Sequence, residues 1–297
     1  MYGRWNSILR VRDSKVGEQH MYNAEISRTN PTAYLFIVDQ SASMNDKMTN
    51  GESKASFVAD VVNKTLRDLV IRCTREDGVR NYFDVGIITY SNREVANGLP
   101  ESLSSKWLAP ISAVADNTTR VEDRTRQVDD GSGNLVEQVY KFPVWLDARG
   151  YGGTPMQAAV AQAAHVIADW SDSHPSSFPA TVLHITDGES NDGNPENNAE
   201  VLRSLTTNDG ATLLYNIHVT DENVEPLRFP RSADNLPDAY AEMIFRMSST
   251  FPQHVRDYAR DAYGITLEPD ARAMVLNAEA DDLVKFVDIG SRPAGMR

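Results

Sequence analysis

Ala33-Tyr34-Leu35-Phe36-Ile37-Val38-Asp39-Gln40-Ser41-Ala42-Ser43 runs without a break from six apolar or aromatic residues into one carboxylate and two hydroxyls. A short apolar run ended by polar residues is the pattern of a buried strand. The oxygens of Asp39, Ser41 and Ser43, at positions i, i+2 and i+4 just past that strand, can converge on one point. Oxygen-only donors suit hard cations such as Mg²⁺, Ca²⁺ or Mn²⁺ better than zinc.

Working outward, three further apolar segments read as core strands: Tyr82 to Tyr90, Ala180 to Thr186, and Thr212 to Val219. Between them lie helical patterns. One covers about Ser53 to Arg75, with Phe57, Val58, Val61, Val62, Leu66, Leu69 and Val70 forming an apolar stripe. Another begins at Pro155 and carries Met156, Val160, Ala163, Ile167 and Trp170; proline fits the first helical position because its missing N–H has no partner to lose there. Further helices are expected over Glu196 to Leu205, Ala239 to Thr250, His254 to Ala262 and Ala280 to Val287. Strands alternating with amphipathic helices predict an α/β fold, a doubly wound and mostly parallel sheet with helices on both faces.

Residues 92–150 break this alternation. Arg120 to Val128 and Leu135 to Phe142 flank Asp129-Asp130-Gly131-Ser132-Gly133-Asn134, which reads as a β-hairpin at an edge or projecting from the body. The predicted organisation is an N-terminal arm over 1–32 and a domain over 33–297, with the 92–150 insertion and a C-terminal helical extension over about 237–297.

The 297 residues carry a formal net charge of −13, which argues against non-specific nucleic-acid binding. Nor is there a basic stripe for a membrane surface. Cys73 is the single cysteine, so no intramolecular disulfide and no cysteine-based zinc site is possible. It sits at core spacing in a helix and reads as a buried, inert thiol. The Met1 to Asn6 stretch lacks the apolar core of a signal peptide. No apolar run approaches the roughly 18–20 residues of a membrane span. A cytoplasmic protein is the expectation. Phosphate-binding Gly-Lys-Ser/Thr, nucleophile-elbow and His-Glu-x-x-His patterns are all absent, so no catalytic residue is assigned.

In an open parallel sheet, ligands bind outside the carboxyl ends of strands, near the point where strand order reverses. Three groups fall at such places: Asp39, Ser41 and Ser43; Asp187, which follows a strand and precedes Gly188; and Thr154, in Gly150-Tyr151-Gly152-Gly153-Thr154-Pro155. Singly each has an ordinary explanation. The serines can satisfy loop backbone, Thr154 can cap a helix, and Asp-Gly is a common turn pair. Their order along the chain, at these strand ends, resembles the metal-ion-dependent adhesion site of von Willebrand factor A domains. The family pattern Asp-x-Ser-x-Ser is complete as Asp39, Ser41 and Ser43; its threonine matches Thr154 and its later aspartate Asp187. The likeness covers roughly Ala33 to Val219, and the long 92–150 segment departs from it.

The resemblance implies a divalent cation, Mg²⁺ or else Ca²⁺ or Mn²⁺, held by those five residues, with an open position filled by an Asp or Glu of a partner protein. It also implies movement of the threonine loop on binding; Gly150, Gly152 and Gly153 could serve as a hinge or merely permit a tight turn. Glu189 and Asp192 could support the ligands from behind. An EF-hand over Asp187 to Asn198 is rejected, since its sixth position is Asp192 rather than glycine. His184 and His218 read as satisfied core histidines. The leading expectation is a cytoplasmic protein-interaction module, similar to stand-alone intracellular bacterial members of the family found with tellurite-resistance or stress genes. The alternatives are a metal-dependent hydrolase of phosphate esters, against which no His or Lys is sequence-linked to the cluster, and a structural subunit with an idle site.

Overall fold

The computed structural model describes residues 22–220, 225–234, 236–277, 285–286 and 288–289. Strand β1 (Thr32–Asp39) is buried along its whole length, and its neighbours explain why. Helix α1 (Lys54–Cys73) leads to β2 (Phe83–Ser91), which lies parallel to β1 on one side. The short strands β3 (Glu94–Asn97) and β4 (Ala109–Pro110) both run antiparallel along the outer edge of β2. After helix α2 (Ile111–Asp116) comes a separate two-stranded hairpin, β5 (Arg120–Asp129) and β6 (Leu135–Val144). Helix α3 (Met156–Ser173) then crosses to the far side of β1, where β7 (Thr181–Thr186) pairs with it in parallel. Helix α4 (Glu196–Ser204) leads to β8 (Leu213–His218), parallel to β7. Beyond it lie β9 (Leu227–Arg228), α5 (Ala239–Met247), α6 (Gln253–Tyr263) and β10 (Met274–Leu276), with β10 parallel to β8 and β9 antiparallel at the edge. The sheet order is β9-β10-β8-β7-β1-β2-β3. This is the doubly wound, mostly parallel architecture that the strand–helix alternation predicts.

Successive strand side chains face opposite ways, and β1 feeds both cores. Tyr34, Phe36 and Val38 pack with the α1 residues Val58, Val62 and Leu66 and with Val255 and Ala259 of α6. Ala33, Leu35 and Ile37 pack with Val160, Ala163 and Ile167 of α3, Leu202 of α4 and Ile244 of α5. Cys73 is buried in the first core, where burial pushes its thiol up to about 12 and makes it a poor nucleophile.

Four features were not legible in the periodicity. The 92–150 segment adds β3, β4 and α2 to the body before it forms the hairpin. The region expected as a C-terminal helical extension, about 237–297, also supplies β10 to the main sheet. Pro155 stands at the N-cap of α3 rather than at its first helical position, with Met156 opening the helix. At the N-terminus, residues 22–31 pack on the body, Ile26 being fully buried. The rest of the expected arm and most of the expected helix at 280–287 lie outside the described residues.

The hairpin is pinned at its base and bare at its tip. Arg124 makes a two-pronged pair with Asp60 of α1, at 2.9 and 3.0 Å, while stacking 3.7 Å above the ring of Phe142. The return to the body hangs on Asn63 of α1. Its buried side chain accepts the N–H groups of Trp145 and Leu146, at 2.9 and 3.0 Å, and donates to the Leu146 carbonyl at 2.9 Å. Asn63→Leu keeps the volume but strands two buried N–H groups and a carbonyl, each at about 1–3 kcal/mol. Urea denaturation of this variant should show a loss of several kcal/mol; a loss below 1 kcal/mol would mean that the segment from the hairpin to the Thr154 loop is held by something else.

Candidate functional site

From β1 the chain goes to β2 on one side, and from β7 to β8 on the other, so the strand order reverses between β1 and β7. A crevice opens at the carboxyl ends of such a pair, and Asp39 ends β1 while Asp187 follows β7. Asp39 is 1% exposed. Its Oδ1 accepts the Ser41 N–H at 2.8 Å, and its Oδ2 accepts the Thr186 hydroxyl at 2.8 Å and faces the Tyr90 hydroxyl at 3.2 Å. Thr186 can aim its proton at Asp39 because its own oxygen accepts the Gly188 N–H at 3.0 Å. The Ser41 and Ser43 hydroxyls stand 3.1 Å apart.

Burial, reinforced by the Asp187 charge, pushes the Asp39 carboxyl up to about 6 in spite of these donors. The hydrogen-bond inventory agrees. Asn216 spends its N–H on the Ser248 hydroxyl at 2.8 Å, so its carbonyl oxygen takes the Nδ1–H of His184 at 2.9 Å. His184 Nε2 is then an acceptor, 2.9 Å from the Tyr90 hydroxyl. Burial holds His184 down to about 4, so this imidazole is neutral. Tyr90 therefore has one proton for two acceptors. A proton on Asp39 resolves the conflict, since it can be donated to the Tyr90 oxygen.

Asp187 is handled differently. Its Oδ2 lies 3.4 Å from the ammonium of Lys54, the first residue of α1, which is itself 3% exposed. Its Oδ1 is buried with no hydrogen-bond partner among the described residues. Behind it, the Asp187 carbonyl accepts the Nε2–H of His218 at 2.8 Å. Both histidines are thus core residues, as expected, although His218 Nδ1 has no partner among the described residues. The sequence links no His or Lys to the cluster as an acid or base; in the fold α1 starts beside the Asp39–Ser43 loop and delivers Lys54 into it.

Thr154 is buried in the loop alongside. That loop is tied to the Asp39–Ser43 segment by backbone, Tyr151 N–H to the Gln40 carbonyl at 2.9 Å and Ala42 N–H to the Gly152 carbonyl at 3.0 Å. Four of the five expected residues, Asp39, Ser41, Ser43 and Asp187, are joined through side chains or charge; Thr154 joins them through its loop. The glycines there answer to close approach. Gly152 has φ +67°, and a Cβ on it would fall 2.4 Å from that of Asn92; one on Gly153 would fall 2.4 Å from the Asn191 amide. Asp192, expected to back the ligands, instead caps α3, accepting the N–H groups of Gln157 and Ala158 at 2.9 Å each. It replaces Thr154 in the capping role and leaves that side chain available.

The donor set fits a hard cation. It offers oxygens only, from three hydroxyls and two carboxylates, and one carboxylate oxygen is buried with no donor among the described residues. Among the described residues no three His, Cys, Asp or Glu side chains converge, so a cation here would draw on hydroxyls as well. Also among the described residues, no helix is long and apolar enough to cross a membrane.

No family model and no curated protein matches this chain. Among solved structures, it is similar to the pilus adhesin SpaC of Lactobacillus rhamnosus GG, at 14% identity and a TM-score of 0.44 over 90% of this chain. It is similar to the SpRpn10 VWA domain, at 10% identity and 0.43 over 89% of this chain and 100% of that one. It is also similar to the vWF domain of the pili tip protein Mfa5 of Porphyromonas gingivalis, at 12% and 0.30 over 54% of this chain and 39% of that one. The chain spans 30% of the SpaC length. The fold rests on the sheet order and the two helical layers, not on these likenesses.

A pH dependence follows for the metal-free protein. Asp39 binds its proton more tightly when folded, so the folded state holds more protons than the unfolded one between about pH 4 and 6. Stability must therefore fall as pH rises through that window and level off above it. The full cost is on the order of 3 kcal/mol. Asp39→Asn removes the ionisation, so in EDTA it should melt higher than wild type at pH 7.5 and show a flatter profile from pH 4 to 7. A melting temperature equal to or below wild type at pH 7.5 would count against the buried charge.

Proposed function

We propose that this protein is a metal-dependent protein-interaction module, a von Willebrand factor A domain with a working adhesion site. Asp39, Ser41, Ser43, Thr154 and Asp187 would hold Mg²⁺, with Mn²⁺ or Ca²⁺ as substitutes, and an Asp or Glu of a partner protein would complete the coordination. When bound, the cation supplies a positive point charge that lets an acidic protein hold an acidic partner. What carries the reading is the buried Asp187 Oδ1, an acceptor that no donor among the described residues meets, in a crevice where Asp39 already has its own. A charged oxygen kept dry and unpaired is costly unless something positive meets it. The exposed Tyr151, next to the Thr154 loop, and the exposed Tyr240, whose Cβ lies 3.0 Å from where a Gly188 side chain would begin, flank the crevice. Aromatic residues so placed suit a protein interface. A cytoplasmic bacterial setting and a stress-response assembly belong to the proposal through the sequence resemblance alone.

A binder specific for the native state must raise its melting temperature, by about 2.7 kcal/mol of stabilisation at a hundredfold excess over Kd. Mg²⁺ should therefore raise the melting temperature of wild type relative to EDTA and leave Asp39→Asn unmoved. Affinity purification on wild type should retain a partner in Mg²⁺ and release it in EDTA, with Asp39→Asn retaining none in either. Retention that ignores both EDTA and the substitution would sink the proposal. The hydrolase alternative has one observation in its favour, the Lys54 ammonium at the carboxylates; Mg²⁺-dependent turnover of a phosphate ester that disappears in Asp39→Asn would establish it instead.

A further inference from the structure

Lys54 occupies a place where elementary electrostatics disfavours a lysine. It is the first residue of α1, where the helix dipole opposes a cation, and its side chain is almost wholly buried. The neighbours explain its retention. The ammonium lies 3.4 Å from Asp187 Oδ2 and 3.9 Å from Asp46 Oδ2, and Asp46 is largely exposed to solvent. Among the described residues the close, dry partner is Asp187, and the pairing uses one of its oxygens while the other meets no described donor.

From this geometry we infer that Lys54 is a specificity-determining residue that leaves the crevice one negative charge short of neutralising a divalent cation. This rests on the metal-binding reading above. Counting the buried groups among the described residues, Asp39 and Asp187 when ionised bring two negative charges and Lys54 returns one positive charge, while the exposed Asp46 is screened by solvent. A bound divalent cation then leaves one positive charge in excess, which one incoming carboxylate cancels. Without Lys54 the two aspartates alone would balance the cation, and an acidic partner would bring a surplus negative charge into a dry site. Lys54 thus weakens cation binding on its own and makes a carboxylate the favoured last ligand. It also holds Asp187 Oδ2, so that Oδ1, unpaired among the described residues, is the oxygen left for a ligand.

The measurement is calorimetric titration of Mn²⁺ alone into wild type, Lys54→Met and Lys54→Arg, with melting temperatures in EDTA and in Mn²⁺. A unit charge within a few ångströms of a divalent cation in a partly buried site opposes binding strongly. Lys54→Met should therefore bind Mn²⁺ at least tenfold more tightly than wild type, and Lys54→Arg, which keeps the charge, should stay within about threefold of wild type. Lys54→Met should also melt lower than wild type in EDTA, because Asp187 loses its counter-charge, and recover in Mn²⁺. Should Lys54→Met not fold, Lys54→Gln, polar and of similar length, carries the same comparison. Equal or weaker Mn²⁺ binding by the uncharged variant, with wild type binding normally, overturns this inference and leaves the metal site standing. No binding by wild type or any variant overturns the metal reading and this inference with it.

Discussion

Two carboxylates held side by side in a dry crevice are the constraint around which the rest of this molecule is arranged. Like charges in a medium of low polarisability repel strongly and pay heavily for lost hydration. The fold answers with different means on the two sides. Asp39 is bound by a backbone N–H and by hydroxyls from β2 and from the end of β7, and burial favours its protonated form. Asp187 is met on one oxygen by an ammonium and on the other by nothing among the described residues. The asymmetry is informative: one aspartate is satisfied within the protein, and the other keeps an acceptor in reserve.

Supporting that arrangement takes residues far from the crevice. The Tyr90 hydroxyl is fixed by His184, His184 by Asn216, Asn216 by Ser248, and Ser248 donates to the Ile244 carbonyl in α5 at 2.8 Å. A chain of buried polar groups is tolerable only when each member has its partner, and then it rigidifies what it touches. Here it threads the sheet from the end of β2 to a helix on the opposite flank, in a core that is otherwise largely apolar.

How much of this could be read from the chain depends on what each part is made of. β1, β2, β7 and β8 were legible because strands buried on both faces must be apolar throughout, and α1 and α3 because one stripe of each meets the sheet. Asp39, Ser41 and Ser43 were legible because they follow a strand directly. The short pieces β3, β4, β9 and β10 were not, being two to four residues long with no periodicity to show. Lys54 was missed because a lysine opening an amphipathic helix looks like solvated surface; only its poor match to the helix dipole hinted otherwise. Tyr90 was counted as a strand residue, and its place opposite Asp39 is a matter of strand register. Asp192 was assigned to the wrong task because a cap supplied from another loop leaves no local signature.

The bond from Thr186 to Asp39 joins residues 147 positions apart. In a parallel sheet whose first strand sits in the centre, β1 gains its second neighbour only when β7 arrives. During synthesis the chain emerges at roughly 5–20 residues per second, so β1 and its carboxylate wait many seconds with one flank open. Contacts this distant along the chain also make for slow folding. The crevice is consequently assembled late, and a chain in which it is complete has already closed the central sheet around it.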